Sequence, residues 1–87
     1  MTYQLEILTP RGRVFSESVV HALIPAEDGF VGVLAHHTDY VTSSPGGHLA
    51  LRLASGETRK FRTGPGFFQV RKNEAFLLTQ SAETDLL

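Results

Sequence analysis

The chain has 87 residues, 41% of them hydrophobic and 20% charged, with a net charge of −1. That length supports one domain with one core and excludes a core plus a deep substrate cavity. A near-neutral balance selects neither nucleic acid nor an acidic membrane surface, and the absence of cysteine excludes disulfides and thiolate metal sites.

Period-2 alternation dominates the pattern. Tyr3, Leu5 and Ile7 alternate with Gln4 and Glu6, the signature of a half-buried strand. Thr9-Pro10-Arg11-Gly12 supplies a turn. Val14 to Ile24 is a second extended stretch, long enough to bend or change sheet partway, and Pro25 is expected to end it. Ala26-Glu27-Asp28-Gly29 reads as a hairpin turn because Asp-Gly suits one, and Phe30 to Leu34 as the returning strand. His36 to Ser43 leaves room for another short strand, and Ser44-Pro45-Gly46-Gly47 breaks the chain again. Leu49, Leu51 and Leu53 alternate, Ser55-Gly56 turns, and Phe61 sits between Lys60 and Arg62 in the next strand. After Gly64-Pro65-Gly66, Phe67–Arg71 and Ala75–Gln80 form a last hairpin around Lys72-Asn73-Glu74. Ala82–Leu87 is the one helix-friendly stretch. Eight or more short strands with regular turn signals predict an antiparallel sandwich or barrel.

Little in this pattern points to chemistry. His36 and His37 are adjacent, so on a strand they face opposite sides; His37 and Asp39 alone do not complete a metal site; His21 and His48 stand apart. No metal and no cofactor is therefore expected. Glu27 and Asp28 sit on a turn tip rather than across a cleft, which suits partner contact better than acid–base work. The glycines match no phosphate-binding loop, and no nucleophile elbow is present. Arg59, Lys60, Arg62, Arg71 and Lys72 with Phe61 and Phe67 allow an alternative, a nucleic-acid or generic interaction module of the OB type. Burial of Phe61, Phe67, Phe68 and Phe76 would defeat it. Residues 1–44 sum to −3 and residues 45–87 to +2, an asymmetry that can orient a partner. No apolar run reaches the ~20 residues of a membrane span, and Met1–Gln4 lacks the layout of a signal peptide.

The order of segments carries more information. Leu5-Glu6-Ile7-Leu8-Thr9-Pro10 is followed by Val14-Phe15, Val19-Val20, and Pro25-Ala26-Glu27-Asp28-Gly29-Phe30-Val31-Gly32-Val33-Leu34 with His37 beyond it. Pro45-Gly46, Leu49-Ala50-Leu51, Gly64-Pro65-Gly66-Phe67-Phe68-Gln69-Val70 and Ser81-Ala82-Glu83 complete the series. This sequence resembles the N-terminal domain of the F-type ATP synthase epsilon subunit, called delta in mitochondria. The D-G-x-x-G-V-L…H and G-x-G-F-x-x-V segments are its most specific parts.

The resemblance implies an all-β fold, a flattened antiparallel β-sandwich of two five-stranded sheets, over residues 1–82. Residues 83–87 would then begin the family's C-terminal helical hairpin or a tail, the hairpin itself being absent, and with it hairpin-based inhibition and any ATP site. The resemblance further implies a non-catalytic rotor subunit of the central stalk, peripheral on the cytoplasmic face of the membrane. Its partners would be the gamma subunit and the c-ring, with no nucleic acid and membrane contact only through the complex. Carried over by position, Glu27, Asp28, Gly29 and Phe30 would face the c-ring, and Thr9, His37 and Thr42 would face gamma. Two departures stand out. Ala35-His36-His37-Thr38-Asp39-Tyr40 replaces the usual Pro-Gly-His-x-Pro-Leu and looks like an alternate, sodium-type branch, and Phe30 occupies a position that is often acidic.

Overall fold

Alternating burial along the chain resolves, in a computed structural model that describes residues 1–85, into nine strands. They are β1 (Tyr3–Thr9), β2 (Gly12–Ala26), β3 (Gly29–Leu34), β4 (Tyr40–Ser44), β5 (Gly47–Leu53), β6 (Thr58–Thr63), β7 (Gly66–Arg71), β8 (Glu74–Thr79) and β9 (Ala82–Thr84). Hydrogen bonds link them in the order β4-β7-β8-β1-β2-β5-β6-β9, with β3 added to β2.

The long strand β2 explains how one hydrogen-bonded set makes a sandwich. Its first part pairs with β1, from Gly12 to Val19. Its second part pairs with β3 on one side and with β5 on the other. Around Val20 the register slips by one residue. A one-residue slip reverses which side chains face inward. The buried positions accordingly switch from Phe15 and Val19 to Ala22 and Ile24. β2 thus belongs to two layers of five strands: β4-β7-β8-β1-β2 and β3-β2-β5-β6-β9.

Side chains from both layers fill one core. Leu5, Ile7, Phe68, Val70 and Leu77 come from the first layer; Ile24, Val33, Leu49, Leu51 and Phe61 come from the second. Phe15 meets Phe61 edge-on across the interior, with ring centroids 5.6 Å apart. The Tyr3 hydroxyl donates to the Val33 carbonyl at 2.8 Å, so the one buried phenol joining β1 to β3 is satisfied rather than orphaned.

Three details depart from the expectations. The pair β1–β8 is parallel, whereas the other pairs are antiparallel. Parallel neighbours need a long crossover, and here the chain between β1 and β8 builds the rest of the sandwich before returning. Pro25 does not end β2; it lies buried in the ladder opposite Phe30. The closing pair of the two-residue hairpin, Ala26 with Gly29, is the hydrogen-bonded one, so position 25 directs its backbone nitrogen away from β3. On that side β5 has already ended its pairing at Leu23, and the missing donor costs nothing. Finally, Ala82–Thr84 is not helical: it pairs with Phe61–Thr63 of β6, and tertiary pairing overrides local preference. The sandwich therefore runs past residue 82. Of the expected tail 83–87, residues 86 and 87 lie outside the described residues.

Candidate docking surfaces

The hairpin β2–β3 carries the Glu27–Phe30 tip at its turn. Gly29 adopts φ +119, a conformation that L side chains rarely enter, so the Asp28-Gly29 pairing is dictated by the turn itself. All four tip residues are exposed, and Phe30 retains 62% of its accessible surface. The tip is not free-standing. Ser43 Oγ of β4 donates to Glu27 Oε2 at 3.0 Å, tying the turn of one layer to the edge strand of the other.

The His36–Tyr40 segment is held differently. His36 takes φ +64, and the amide of His37 donates to the Leu34 carbonyl at 3.2 Å. His37 Nδ1 donates to the Thr38 carbonyl at 2.7 Å, and its ring meets Tyr40 edge-on at 5.9 Å. The histidine thus orders its own loop. Two side chains then clasp this loop to the β7–β8 turn. Asn73 Oδ1 accepts from the His36 amide at 2.6 Å, and Asp39 Oδ1 accepts from the Lys72 amide at 3.0 Å. Asn73 Nδ2 donates to the Thr2 carbonyl at 3.2 Å, drawing in the start of β1.

The structure brings some expected site residues together and separates others. Thr42 lies on β4 beside Ser43, hence next to the Glu27 contact; it is half-buried opposite Phe68 and turns its hydroxyl to the Ser43 carbonyl. His37 sits at the end of β1 where Thr2 meets Asn73. Thr9 closes the other end of β1, about 20 Å along the strand. There its hydroxyl accepts from the Arg11 amide and donates to the Gly12 carbonyl, so its visible role is to set the β1–β2 turn.

The alternative reading, an aromatic and basic binding face, finds mixed support. Phe61 and Phe68 are buried and Phe76 is half-buried, but Phe67 is 60% exposed and pairs across β7–β8 with exposed Leu78. Two of the basic residues in that reading are paired within the chain. Arg59 contacts Glu57 at 2.7 Å and Glu17 at 3.6 Å, and Arg62 reaches Glu83 at 3.8 Å. The Glu57 hydrogen bond pushes the Arg59 guanidinium further above its ordinary range. Among the described residues no three histidines or carboxylates converge on a metal-sized site, and no helix is long and apolar enough to cross a membrane.

Sequence reasoning missed Asn73 and Ser43. Asn at a turn tolerates left-handed backbone, and Asn73 adopts φ +63, but that signal identifies a turn and not the partners of its amide group.

Residues 2–85 match the family model for the ATP synthase delta/epsilon chain β-sandwich domain. The ATP synthase epsilon chain of Pelotomaculum thermopropionicum is 38% identical over 82 residues, covering 94% of this chain and 60% of the relative. That of Bacillus pumilus is 36% identical over 83 residues, covering 95% of this chain and 63% of the relative. The chain thus spans about 60% of the length of these curated relatives. In fold it is similar to a chain in the Euglena gracilis mitochondrial ATP synthase (OSCP/F1/c-ring), with TM-score 0.86 at 23% identity, covering 92% of this chain and 51% of that one. A chain of the Tetrahymena thermophila mitochondrial ATP synthase central stalk and c-ring gives TM-score 0.76 at 13% identity, covering 92% and 64%.

Proposed function

The chain belongs to the delta/epsilon-chain β-sandwich family of ATP synthase, and from that premise we propose that it is a non-catalytic rotor component of the central stalk. In this reading it grips two protein partners, the gamma subunit and the c-ring, and so couples ion translocation to ATP synthesis or hydrolysis. It sits at the cytoplasmic face of the membrane and touches the bilayer only through the complex. The observation that carries the reading is the match over residues 2–85, which takes in every strand of the sandwich.

The geometry supports such a role. A stiff sandwich with one shared core transmits force without needing a reactive cleft. The exposed Glu27–Phe30 tip is the c-ring-facing element, and exposed Phe30 is an apolar contact that the assembly covers. His37 and Thr42 face gamma from the adjacent loop and edge strand; Thr9 reaches gamma from the far end of β1.

Titration calorimetry of this domain with recombinant gamma subunit tests the proposal. One-to-one binding is expected, weakened in a His37→Ala, Thr42→Arg double variant that keeps the wild-type circular dichroism. Absence of binding at micromolar concentrations would overturn the gamma assignment.

A further inference from the structure

We propose that Asn73, acting with Asp39, is a positioning residue that preforms the gamma-facing loop; the partner in this inference rests on the reading above. Between β3 and β4 the backbone has no ladder to hold it, and His36 is in a left-handed conformation that a non-glycine residue keeps only when its surroundings require it. The requirement is met from 37 residues away, where Asn73 Oδ1 receives the His36 amide at 2.6 Å.

The clasp is reciprocal. Asp39 Oδ1 receives the Lys72 amide at 3.0 Å, so each segment satisfies a backbone donor of the other. The Asn73 amide group also spends its donor on Thr2, which anchors the turn to β1 as well as to the loop. Lys72 and Asn73 are both left-handed, with φ +50 and +63, which fixes the direction in which the Asn73 side chain leaves the turn. Between the two clasp points lie His37 and Thr38, with His37 braced by the Thr38 carbonyl and by Tyr40. Removing the clasp leaves the sandwich core untouched but lets this stretch sample other conformations. A partner that binds only the ordered loop then loses affinity by the fraction of time the loop is ordered.

The test compares Asn73→Gly, which keeps the left-handed turn and deletes the clasp, with Asn73→Asp, which keeps an acceptor for the His36 amide. Three quantities are read for wild type and both variants: hydrogen exchange of the His36 amide by NMR, affinity for gamma by calorimetry, and thermal midpoint. For Asn73→Gly we expect faster His36 exchange, about tenfold weaker gamma binding and a midpoint within a few degrees of wild type. Asn73→Asp is expected to restore both His36 protection and most of the affinity. A purely structural role would instead lower the midpoint and leave the affinity of the folded fraction unchanged. If wild type binds gamma and Asn73→Gly binds equally well, the clasp proposal falls alone. If wild type does not bind gamma, the partner assignment falls, and the positioning role falls with it.

Discussion

The Glu27–Phe30 tip and the His36–Tyr40 loop follow one another in the chain, yet they are built in opposite ways. The tip is shaped locally: the closing pair Ala26–Gly29 and a left-handed Gly29 fix it, and one exposed hydrogen bond from Ser43 steadies it. The loop is shaped from a distance, by Asn73 and Asp39 across the β7–β8 turn. A tip of the first kind survives changes elsewhere in the fold. A loop of the second kind inherits the state of the hairpin that clasps it.

Substitutions at three positions separate the two modes. The largest effect is expected at Gly66, where a methyl group would overlap the Leu78 carbonyl oxygen in the β7–β8 hairpin. Gly66→Ala should cost about 3 kcal/mol in urea unfolding, and because Gly66 pairs with Ser44, beside the Ser43 that steadies Glu27, it should disturb that contact while the Ala26–Gly29 closing pair and the His36 amide at the far end of the hairpin stay protected. Next is Gly29→Val, which forces a β-branched residue to φ +119. A cost of about 2 kcal/mol is expected, with changed NMR shifts at Glu27–Phe30 and an undisturbed His36 amide. If each of these variants perturbs both regions equally, the distinction between local and distant control is broken.

The smallest effect belongs to Tyr3, which joins the two regions. Its backbone neighbour Thr2 is held by Asn73, and its hydroxyl holds Val33 of the strand that starts at the tip. Tyr3→Phe should cost about 1 kcal/mol at neutral pH. Burial pushes the Tyr3 phenol well above its ordinary range. Below about pH 10 folded and unfolded chains both keep this proton, and Tyr3 adds no pH dependence to stability. Above about pH 10 the unfolded chain releases a proton that the folded chain retains, so stability falls with rising pH. The expected slope is about 1.4 kcal/mol per pH unit, and Tyr3→Phe should abolish it in alkaline urea titrations.

The same contrast explains how much of the molecule was legible in its sequence. Alternation at Leu5–Ile7 and Leu49–Leu53, and turn chemistry at Pro10–Gly12 and Asp28–Gly29, are local signals, and they placed strands and turns where the structure has them. The length of β2 even hinted at its change of layer. Local reasoning failed where a distant partner decides. Pro25 stays in its strand because the pairing of β2 with β5 stops at Leu23, and Ala82–Thr84 is drawn into the sheet by β6. Phe67, whose burial would have counted against an aromatic binding face, lies on the outward parity of β7. The Asp39-Tyr40 departure from the usual family pattern became intelligible only with Lys72 and His37 in place beside it.

The parallel pair β1–β8 sets the order of events as the chain is made. β1 emerges from the ribosome ahead of the other strands described and finds β2 on one side at once, because the Pro10–Gly12 turn joins them. Its other edge stays open until Glu74–Leu78 has been synthesised, near the end of the sandwich. For most of the sandwich's synthesis the nascent chain therefore carries a strand with one open edge, bearing Leu5 and Ile7, the kind of edge to which other chains adhere. An early strand of the sandwich is thus completed late, and chaperone occupancy during synthesis is expected to fall when β8 appears.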